Sequence, residues 1–363
     1  MHVHVVAGLG AWLTAWVNGR RSTIDDVAKA AGVARVTVSR VLNNERGVRP
    51  ETRERVRDAV AALRFSVNLQ ARALASGVDR TILLIHAHGR EGEPNSHYHS
   101  GLELGAMRAC SAIGYELVTR SINPMREDRG HLIAAIVQRL RPAGIVLPPP
   151  FSDDVDLLTT MKDTGIRVST VSAGKRGRGV VSSAGIDERA GGAALGRYLA
   201  SLGHRDIAFI KGPNDHLAAS LRYEGFVEAL KAAGLGREPW TASGDFNFKS
   251  GVEAAESLLA QGKSFTALAC ANDDMAAGAM FALHRARKTI PGDISVTGFD
   301  DSPMSEIVWP PLTTVRQPIK DIAERAVRML LDPPHEGEYA PFEALPHELV
   351  IRESTAAPGR TDD

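Results

Sequence analysis

Four histidines are the residues of this sequence whose types and spacing could bind a metal. His86 and His88 form one alternating pair, and His97 and His99 form another, on either side of a loop that contains Gly, Glu and Pro. Alternate residues of an extended segment face the same side, so two such pairs could hold a divalent cation. The spacing matches no common metal-binding motif, and we therefore predict no metal. Histidines that line a ligand pocket, or that lie on the surface, are the alternatives.

Paired carboxylates are the next candidates for chemistry, at 153–154, 273–274 and 300–301. Neighbouring side chains on a helix or strand point apart, so these pairs are poor acid and base partners. The chain contains no G-x-S-x-G, G-x-G-x-x-G or G-x-x-x-x-G-K-[ST] motif. Its two cysteines, Cys110 and Cys270, form no C-x-x-C pair, which argues against a disulfide scaffold and favours a reducing cytoplasm. The sequence therefore predicts no enzyme and no cofactor.

The charges are distributed unevenly along the chain. The 363 residues have no net charge, and with 44% hydrophobic and 24% charged residues the composition is that of a globular protein. Residues 21–77 nevertheless carry eleven basic and six acidic side chains, a net charge of +5, and residues 78–363 carry −6. A small basic module attracts phosphate backbones. A solvated helical surface would show the same excess of arginine, so charge alone leaves both readings open.

The basic module has the pattern of three short helices. Thr23 followed by Asp26 predicts a capping box at the start of the first helix, and Gly32 predicts its end in a tight turn. A second helix is predicted over 35–43, and Pro50 is suited to the first position of a third helix. This order is typical of a helix-turn-helix module, whose second helix fits the major groove of DNA.

Residues 22–65 resemble a known DNA-binding module. The blocks DVAKAAGV, TVSRVLN and TRERV occur in the order and spacing of the headpiece of the lac-repressor (LacI/GalR) family. The resemblance implies that one set of residues reads bases and another holds phosphates. The base-reading set is Arg35, Val36 and Arg40, and the phosphate-contacting set is Thr37, Ser39 and Asn43. A plain surface charge at Arg35 and core packing of Val36 are the alternatives.

The segment 66–79 resembles the hinge of the same family, which becomes helical on operator DNA. Asn68 and Leu74 match its pattern, and Leu74 corresponds to the leucine that is wedged into the minor groove. Val67 replaces the proline that the family usually carries before the asparagine, so the entry to the hinge is expected to be less rigid.

From Thr81 onward, short β-branched runs alternate with helical patterns, which is typical of βαβ units with parallel sheets. The blocks SLGHRDIAFIKG, ANDDMAAGAM and DISVTGFDDSP resemble the family's effector domain. The fold class predicted is therefore an all-α helix-turn-helix headpiece plus an α/β two-lobed periplasmic-binding-protein-like effector domain. The predicted boundaries are 80–183 and 320–345 for the first lobe, 184–319 and 346–355 for the second, and 356–363 for a polar tail.

The resemblance also implies an effector site at the ends of the strands. Its residues in the second lobe would be an arginine, an aromatic residue, an amide and a carboxylate: Arg222, Phe246, Asn272 and Asp300. Tyr98 and His99 would contribute from the first lobe, and Ser172 is an alternative contact there. An aromatic face surrounded by polar groups suits a sugar or another polyol.

Residues 1–21 do not fit the pattern of the rest. The apolar stretch 3–17 is too short to span a bilayer, and no basic residue precedes it as in a signal peptide. We expect a disordered extension or an early start codon, with a helix that packs on a partner as the alternative.

Together these features predict a cytoplasmic homodimer without a membrane segment. It would bind double-stranded operator DNA and repress carbohydrate-utilisation genes until a small sugar-like effector releases it. A secreted binding protein and an orphan sensor that no longer binds DNA are the competing hypotheses. The missing signal peptide argues against the first, and the intact TVSRVLN run argues against the second.

Overall fold

The computed structural model describes residues 22–42, 47–63, 65, 80–87, 96–332 and 340–359. The chain divides into two compact units, Met1–Val78 and Asp79–Asp363.

The described part of the small unit consists of α1 (Ile24–Ala31), α2 (Arg35–Leu42) and α3 (Pro50–Ala62). The Thr23 hydroxyl accepts a hydrogen bond from the Asp26 backbone N–H, and the Asp26 carboxylate accepts one from the Thr23 N–H at 2.8 Å. Gly32 ends α1 in the left-handed region at φ 63°. The predicted capping box, the turn and the proline start of α3 are all confirmed.

Each helix of the small unit supplies a fully buried valine to one core: Val27 from α1, Val38 from α2 and Val56 from α3. Because α2 buries Val38 and Val41, the helical period leaves the opposite face of α2 directed to solvent.

The large unit alternates strands and helices, as predicted. Its strands are β1 (Thr81–Ala87), β2 (Glu116–Ile122), β3 (Gly144–Leu147), β4 (Arg167–Val171), β5 (Ser182–Ile186), β6 (Ile207–Lys211), β7 (Trp240–Ser243), β8 (Ala267–Cys270), β9 (Ser295–Thr297), β10 (Thr314–Arg316), β11 (Phe342–Leu345) and β12 (Glu348–Val350). Its helices are α4 (Ser96–Ile113), α5 (Arg129–Leu140), α6 (Val155–Asp163), α7 (Glu188–Ser201), α8 (Leu217–Ala232), α9 (Phe248–Ala260), α10 (Asp273–Arg285), α11 (Met304–Ile307) and α12 (Ile319–Leu331).

Two parallel sheets form the framework of the large unit. The first has the order β11-β5-β4-β3-β1-β2, and the second has the order β7-β6-β8-β9. The antiparallel pair β10-β12 is separate from both. Two parallel sheets, each with its own helices, confirm the predicted α/β fold class. None of the helices in the described ranges combines the length and apolar character needed to cross a bilayer.

Burial on both faces of the first sheet explains the apolar run of β1. Ile82 and Leu84 belong to one apolar cluster, and Leu83 and Ile85 belong to another on the opposite face. A strand covered on both sides reads as continuous hydrophobic sequence rather than as an alternation.

In the second sheet's half of the unit, two glycines bring α7 and α8 into backbone contact. A Cβ atom added at Gly192 would lie 1.9 Å from the carbonyl oxygen of Arg222, and one added at Gly225 would lie 1.9 Å from that of Arg189. No larger residue fits at either position without separating the helices. This close approach places the start of α7 beside the first turns of α8.

Candidate functional site

The outward face of α2 carries the side chains predicted to read bases. Arg35 and Arg40 are exposed, and Val36 is 58% exposed although it is apolar. An exposed valine beside an exposed arginine offers a methyl-contacting group and a bidentate donor on one helix face. Core packing of Val36, the competing interpretation, does not describe this structure.

The electrostatic contact of Arg35 on this face is weak. Arg35 lies 3.8 Å from the Asp25 carboxylate, and both side chains are exposed. Such a pair contributes little to stability, so Arg35 could exchange it for a contact with a base or phosphate. Thr37 and Ser39 are half-buried on the flanks of the same helix. The remaining predicted DNA contacts, Asn43, Asn68 and Leu74, lie outside the described residues.

In the large unit, a buried arginine is the centre of a polar cluster. Arg222, on α8, directs its Nε to Glu188 at 2.6 Å and its Nη2 to the second oxygen of the same carboxylate at 3.3 Å. Its Nη1 donates to the carbonyl oxygen of Ala271 at 2.9 Å. The guanidinium lies 3.9 Å above the ring of Phe299. Every contact of this arginine holds it in one orientation.

Asp300 is the second carboxylate of this cluster. It lies 3.7 Å from Nη1 of Arg222 and accepts a hydrogen bond from the Gln317 amide at 2.5 Å. Burial raises the pKa of Asp300 to about 7, although Arg222 and the Gln317 hydrogen bond act in the opposite direction. The carboxyl can therefore change its charge close to neutral pH.

Asn272 and Phe246 are held together beyond the ends of β8 and β7, the two strands that flank β6. The Asn272 amide donates to the carbonyl oxygen of Phe246 at 3.0 Å, and its oxygen caps α10 by accepting from the Met275 N–H. The Phe246 backbone is in the left-handed region at φ 57°. Its ring lies against Gly212, where a Cβ atom would approach it to 2.4 Å.

Two residues of the first sheet's half face this cluster. Ser172 follows the end of β4, and Tyr98 lies in the first turn of α4. Burial raises the pKa of Tyr98, the charge of Glu188 adds to the rise, and Ser172 and Arg222 oppose it. The phenol is therefore within electrostatic reach of the arginine and both carboxylates. The structure brings Arg222, Asp300, Tyr98 and Ser172 together at one site.

Comparisons with known proteins match both units of the chain. A model of bacterial regulatory proteins of the lacI family matches residues 23–68, and one of a periplasmic binding protein-like domain matches residues 197–355. A transcriptional repressor named PurR, from Erwinia tasmaniensis, is 34% identical over 313 residues, which cover 86% of this chain and 90% of that protein.

The chain belongs to the lacI family of bacterial regulatory proteins.

Solved structures of other family members resemble this one over nearly its whole length. The transcriptional regulator CelR in complex with cellobiose has a TM-score of 0.69 and 30% identity, and covers 92% of this chain and 100% of that one. The lac repressor dimer bound to operator and the anti-inducer ONPF has a TM-score of 0.78 and 27% identity, over 93% and 100%. The family resemblance and fold class are confirmed, and this lacI-family protein is a transcriptional regulator.

The histidines of this regulator do not assemble a metal centre within the described ranges. Nε2 of His86 is hydrogen-bonded to the Glu103 carboxylate at 3.0 Å, and the His86 ring packs edge-on against that of His99 with 4.8 Å between their centroids. No group of three or more His, Cys, Asp or Glu side chains among the described residues is arranged to hold a metal. The ring centroids of His99 and Tyr98 are 6.0 Å apart, which links His99 indirectly to the polar cluster around Arg222. His88 lies outside the described residues.

Sequence reasoning missed two residues of the polar cluster around Arg222. Glu188 is the first residue of α7 and follows β5 after a single residue, a position at the carboxyl end of a parallel strand where ligand-binding groups collect. His216 caps α8 through Nδ1, which accepts from the Ala219 N–H, and its ring meets Phe246 edge-on at 4.9 Å. Burial lowers the pKa of His216 to about 3, with the charge of Arg222 acting in the same direction. The His216 ring is therefore uncharged where it borders the cluster.

Proposed function

We propose that this regulator is a homodimeric repressor of carbohydrate-utilisation genes that binds a two-fold operator and is released by a sugar-like effector. The observation that carries this proposal is that one chain has both an outward arginine–valine face on α2 and a buried Arg222–Asp300 cluster in the large unit. The similarity to the CelR–cellobiose complex and to the operator-bound lac repressor dimer supports each half of the proposal.

The proposal divides the chain by role. A DNA-binding domain of residues 22–65 would be joined through a hinge of 66–79 to the effector domain of 80–355, with the lobe boundaries predicted above. The regulator would act without catalysis, in the cytoplasm where bacterial operators lie, and with no metal or cofactor.

DNA recognition would depend on Arg35 and Val36. We expect Arg35→Ala to weaken binding to the specific operator by roughly 1–3 kcal/mol and to relax the preference at one base pair. The operator can be obtained by selection from random duplexes, and affinities measured by fluorescence anisotropy at fixed salt.

Arg57→Ala is the matched control, since Arg57 is an exposed arginine of the same unit on α3. It removes the same charge without touching α2. Equal losses for both variants, with operator selectivity unchanged, would mean that Arg35 attracts DNA only as a charge.

Effector recognition would use the cluster around Arg222. Its aromatic, amide and carboxyl groups match the needs of a polyol, with Phe246 against the ring and Asp300 and Asn272 at the hydroxyls. A thermal-shift screen of mono- and disaccharides, beginning with cellobiose, should reveal a ligand that raises the melting temperature. The same ligand should release the protein from its operator.

Exposed apolar side chains suggest where two copies meet. Trp309 is 77% exposed and Ile307 is 75% exposed, and α11, which ends at Ile307, contacts α10, which carries the exposed Phe281. Exposed apolar surface of this kind is typical of an interface. We propose this surface, named here the α10–α11 face, as part of the dimer contact.

A further inference from the structure

The donor groups of Arg222 are largely occupied before any effector binds. The guanidinium has five N–H groups in a planar fork. Two of them face the oxygens of Glu188, at 2.6 and 3.3 Å, and a third donates to the Ala271 carbonyl at 2.9 Å. One N–H remains on Nη1, which is the atom nearest Asp300, and one remains on Nη2. Glu188 occupies the Nε–Nη2 edge, one of the two edges of the fork that can pair with a carboxylate or phosphate, and Ala271 takes one donor of Nη1.

The charge of the arginine is also compensated inside the cluster. The Arg222 side chain is 6% exposed and that of Glu188 is 2% exposed, so solvent screens their attraction very little. Asp300, at 8% exposure, is a second acid within 3.7 Å of the same cation. One cation thus faces two acidic groups, and the cluster offers an incoming anion no net positive charge.

We propose that Glu188 is a specificity-determining residue that restricts the effector to uncharged, hydroxyl-bearing molecules and excludes phosphorylated and carboxylated sugars. This rests on the proposed function, because it describes the ligand of the same effector site. An anion on the Nε–Nη2 edge would have to displace Glu188 and leave that carboxylate buried without its partner, which is strongly unfavourable. An anion at the Nη1–Nη2 end would face the Asp300 carboxyl and compete with the Ala271 carbonyl. A hydroxyl needs only one of the remaining N–H groups and can donate in turn to Asp300.

The position of Glu188 is fixed by the backbone, which makes this exclusion a stable property of the site. Glu188 is the first residue of α7, and the Gly192 contact with the Arg222 carbonyl holds α7 against α8. The backbone of Glu188 therefore stays beside the guanidinium, and a shift of α7 away from it would separate these helices. An anionic effector therefore cannot open the pair by a simple shift of α7.

Inorganic sulfate is a suitable probe, because it is a small anion that needs no knowledge of the natural effector. Isothermal titration calorimetry of the full-length protein would compare wild type, Glu188→Gln, Glu188→Gln with Arg222→Gln, and Glu224→Gln at constant ionic strength. A pH of 6.5 lies below the raised pKa of Asp300, about 7, which limits repulsion from that group. Glu224→Gln is the matched control, since it removes one carboxylate from the solvent-accessible ion pair with Arg189.

We expect no saturable sulfate binding to wild type or Glu224→Gln, and at least about a tenfold gain in affinity for Glu188→Gln that disappears in the double variant. A purely structural role of Glu188 would create no anion site. Saturable wild-type binding that depends on Arg222, or a folded Glu188→Gln protein without the gain, would overturn the proposal. If circular dichroism shows that Glu188→Gln does not fold, Glu188→Ala provides the same comparison. Operator binding by wild type, measured separately, tests the proposed function and does not depend on the sulfate result.

Discussion

Replacing Arg222 by methionine should destabilise the large unit more than any single surface substitution. The change removes both hydrogen bonds to Glu188, the bond to the Ala271 carbonyl and the cation above the Phe299 ring. It leaves Glu188, which is 2% exposed, beside Asp300 with no cation between them. Breaking a buried ion pair by removing one partner costs about 3–5 kcal/mol, because the remaining charge keeps its desolvation penalty.

The size of this loss can be separated from the packing change by a double-mutant cycle. Glu188→Met combined with Arg222→Met replaces both charges by apolar groups of similar volume, and such replacements are often close to neutral. We expect the double variant to recover most of the lost free energy of unfolding, with a coupling energy of at least about 2 kcal/mol. Asp300 retains its hydrogen bond from Gln317 in both variants.

Urea denaturation followed by far-UV circular dichroism measures these free energies, and thermal melts should show a decrease of roughly 6–20 °C for the single variant. The loss should shrink at low pH, since an unpaired buried carboxyl group is tolerated once it is protonated. A single variant that costs less than about 1 kcal/mol, or a double variant less stable than either single one, would refute the buried-pair argument.

Three further predictions concern separate parts of the structure. His204→Ala should cost about 2–4 kcal/mol, because His204 is buried and bonds Thr266 at 2.8 Å and the Ala356 carbonyl at 2.9 Å. Burial lowers the pKa of His204, so its contribution to stability is present above the ordinary pKa of 6.5 and is lost as the pH falls. The difference in melting temperature between wild type and His204→Ala should therefore become smaller in acid, and a constant difference would contradict this prediction. Asp300→Asn should weaken effector binding by roughly 1.5–3 kcal/mol. It should also remove the rise in wild-type effector affinity between about pH 6 and 8, where the Asp300 carboxylate forms with a pKa of about 7, and calorimetry showing the same affinity–pH profile in the variant would contradict the assignment. Because the pKa of Asp300 is raised, the contribution of this group to folding stability is lost as the pH rises through 7. Trp309→Glu on the α10–α11 face should convert a dimer to a monomer by light scattering while the far-UV circular dichroism spectrum stays unchanged, and an unchanged mass would remove this face from the dimer contact.

Features set by local chemistry could be predicted from the sequence. The capping pair Thr23 and Asp26 and the turn at Gly32 depend on contacts within a few residues, and each is present. The exposure of Val36 follows from the helical period once Val38 is assigned to the core. The apolar run of β1 likewise predicts burial on both faces of a sheet.

The features that sequence reasoning missed depend on contacts between distant segments. Glu188 and Arg222 are 34 residues apart, and their pairing requires the backbone contact of α7 with α8 at Gly192. Nothing in the local sequence marks Gly192 as a contact point rather than a flexible residue. His216 was missed for a related reason: its role depends on a ring contact with Phe246, whose left-handed backbone has no reliable signature outside glycine and asparagine.

In our proposal the Arg222–Glu188 ion pair supports both the stability of the large unit and the recognition of the effector. Variants at this site can therefore change both properties at once. A loss of effector response in Arg222→Met could arise from an unfolded large unit as well as from a missing contact, because Arg222 supports Glu188, Ala271 and Phe299 at once. Asp300 separates the two effects better, since its side chain has one strong partner, Gln317, and a longer contact with Arg222. Asparagine at this position can still accept from Gln317, while it loses the charge that an effector hydroxyl would meet. A stable Asp300→Asn protein that binds effector weakly would therefore identify recognition by the carboxylate, whereas Arg222 requires the double variant with Glu188 to reach the same conclusion.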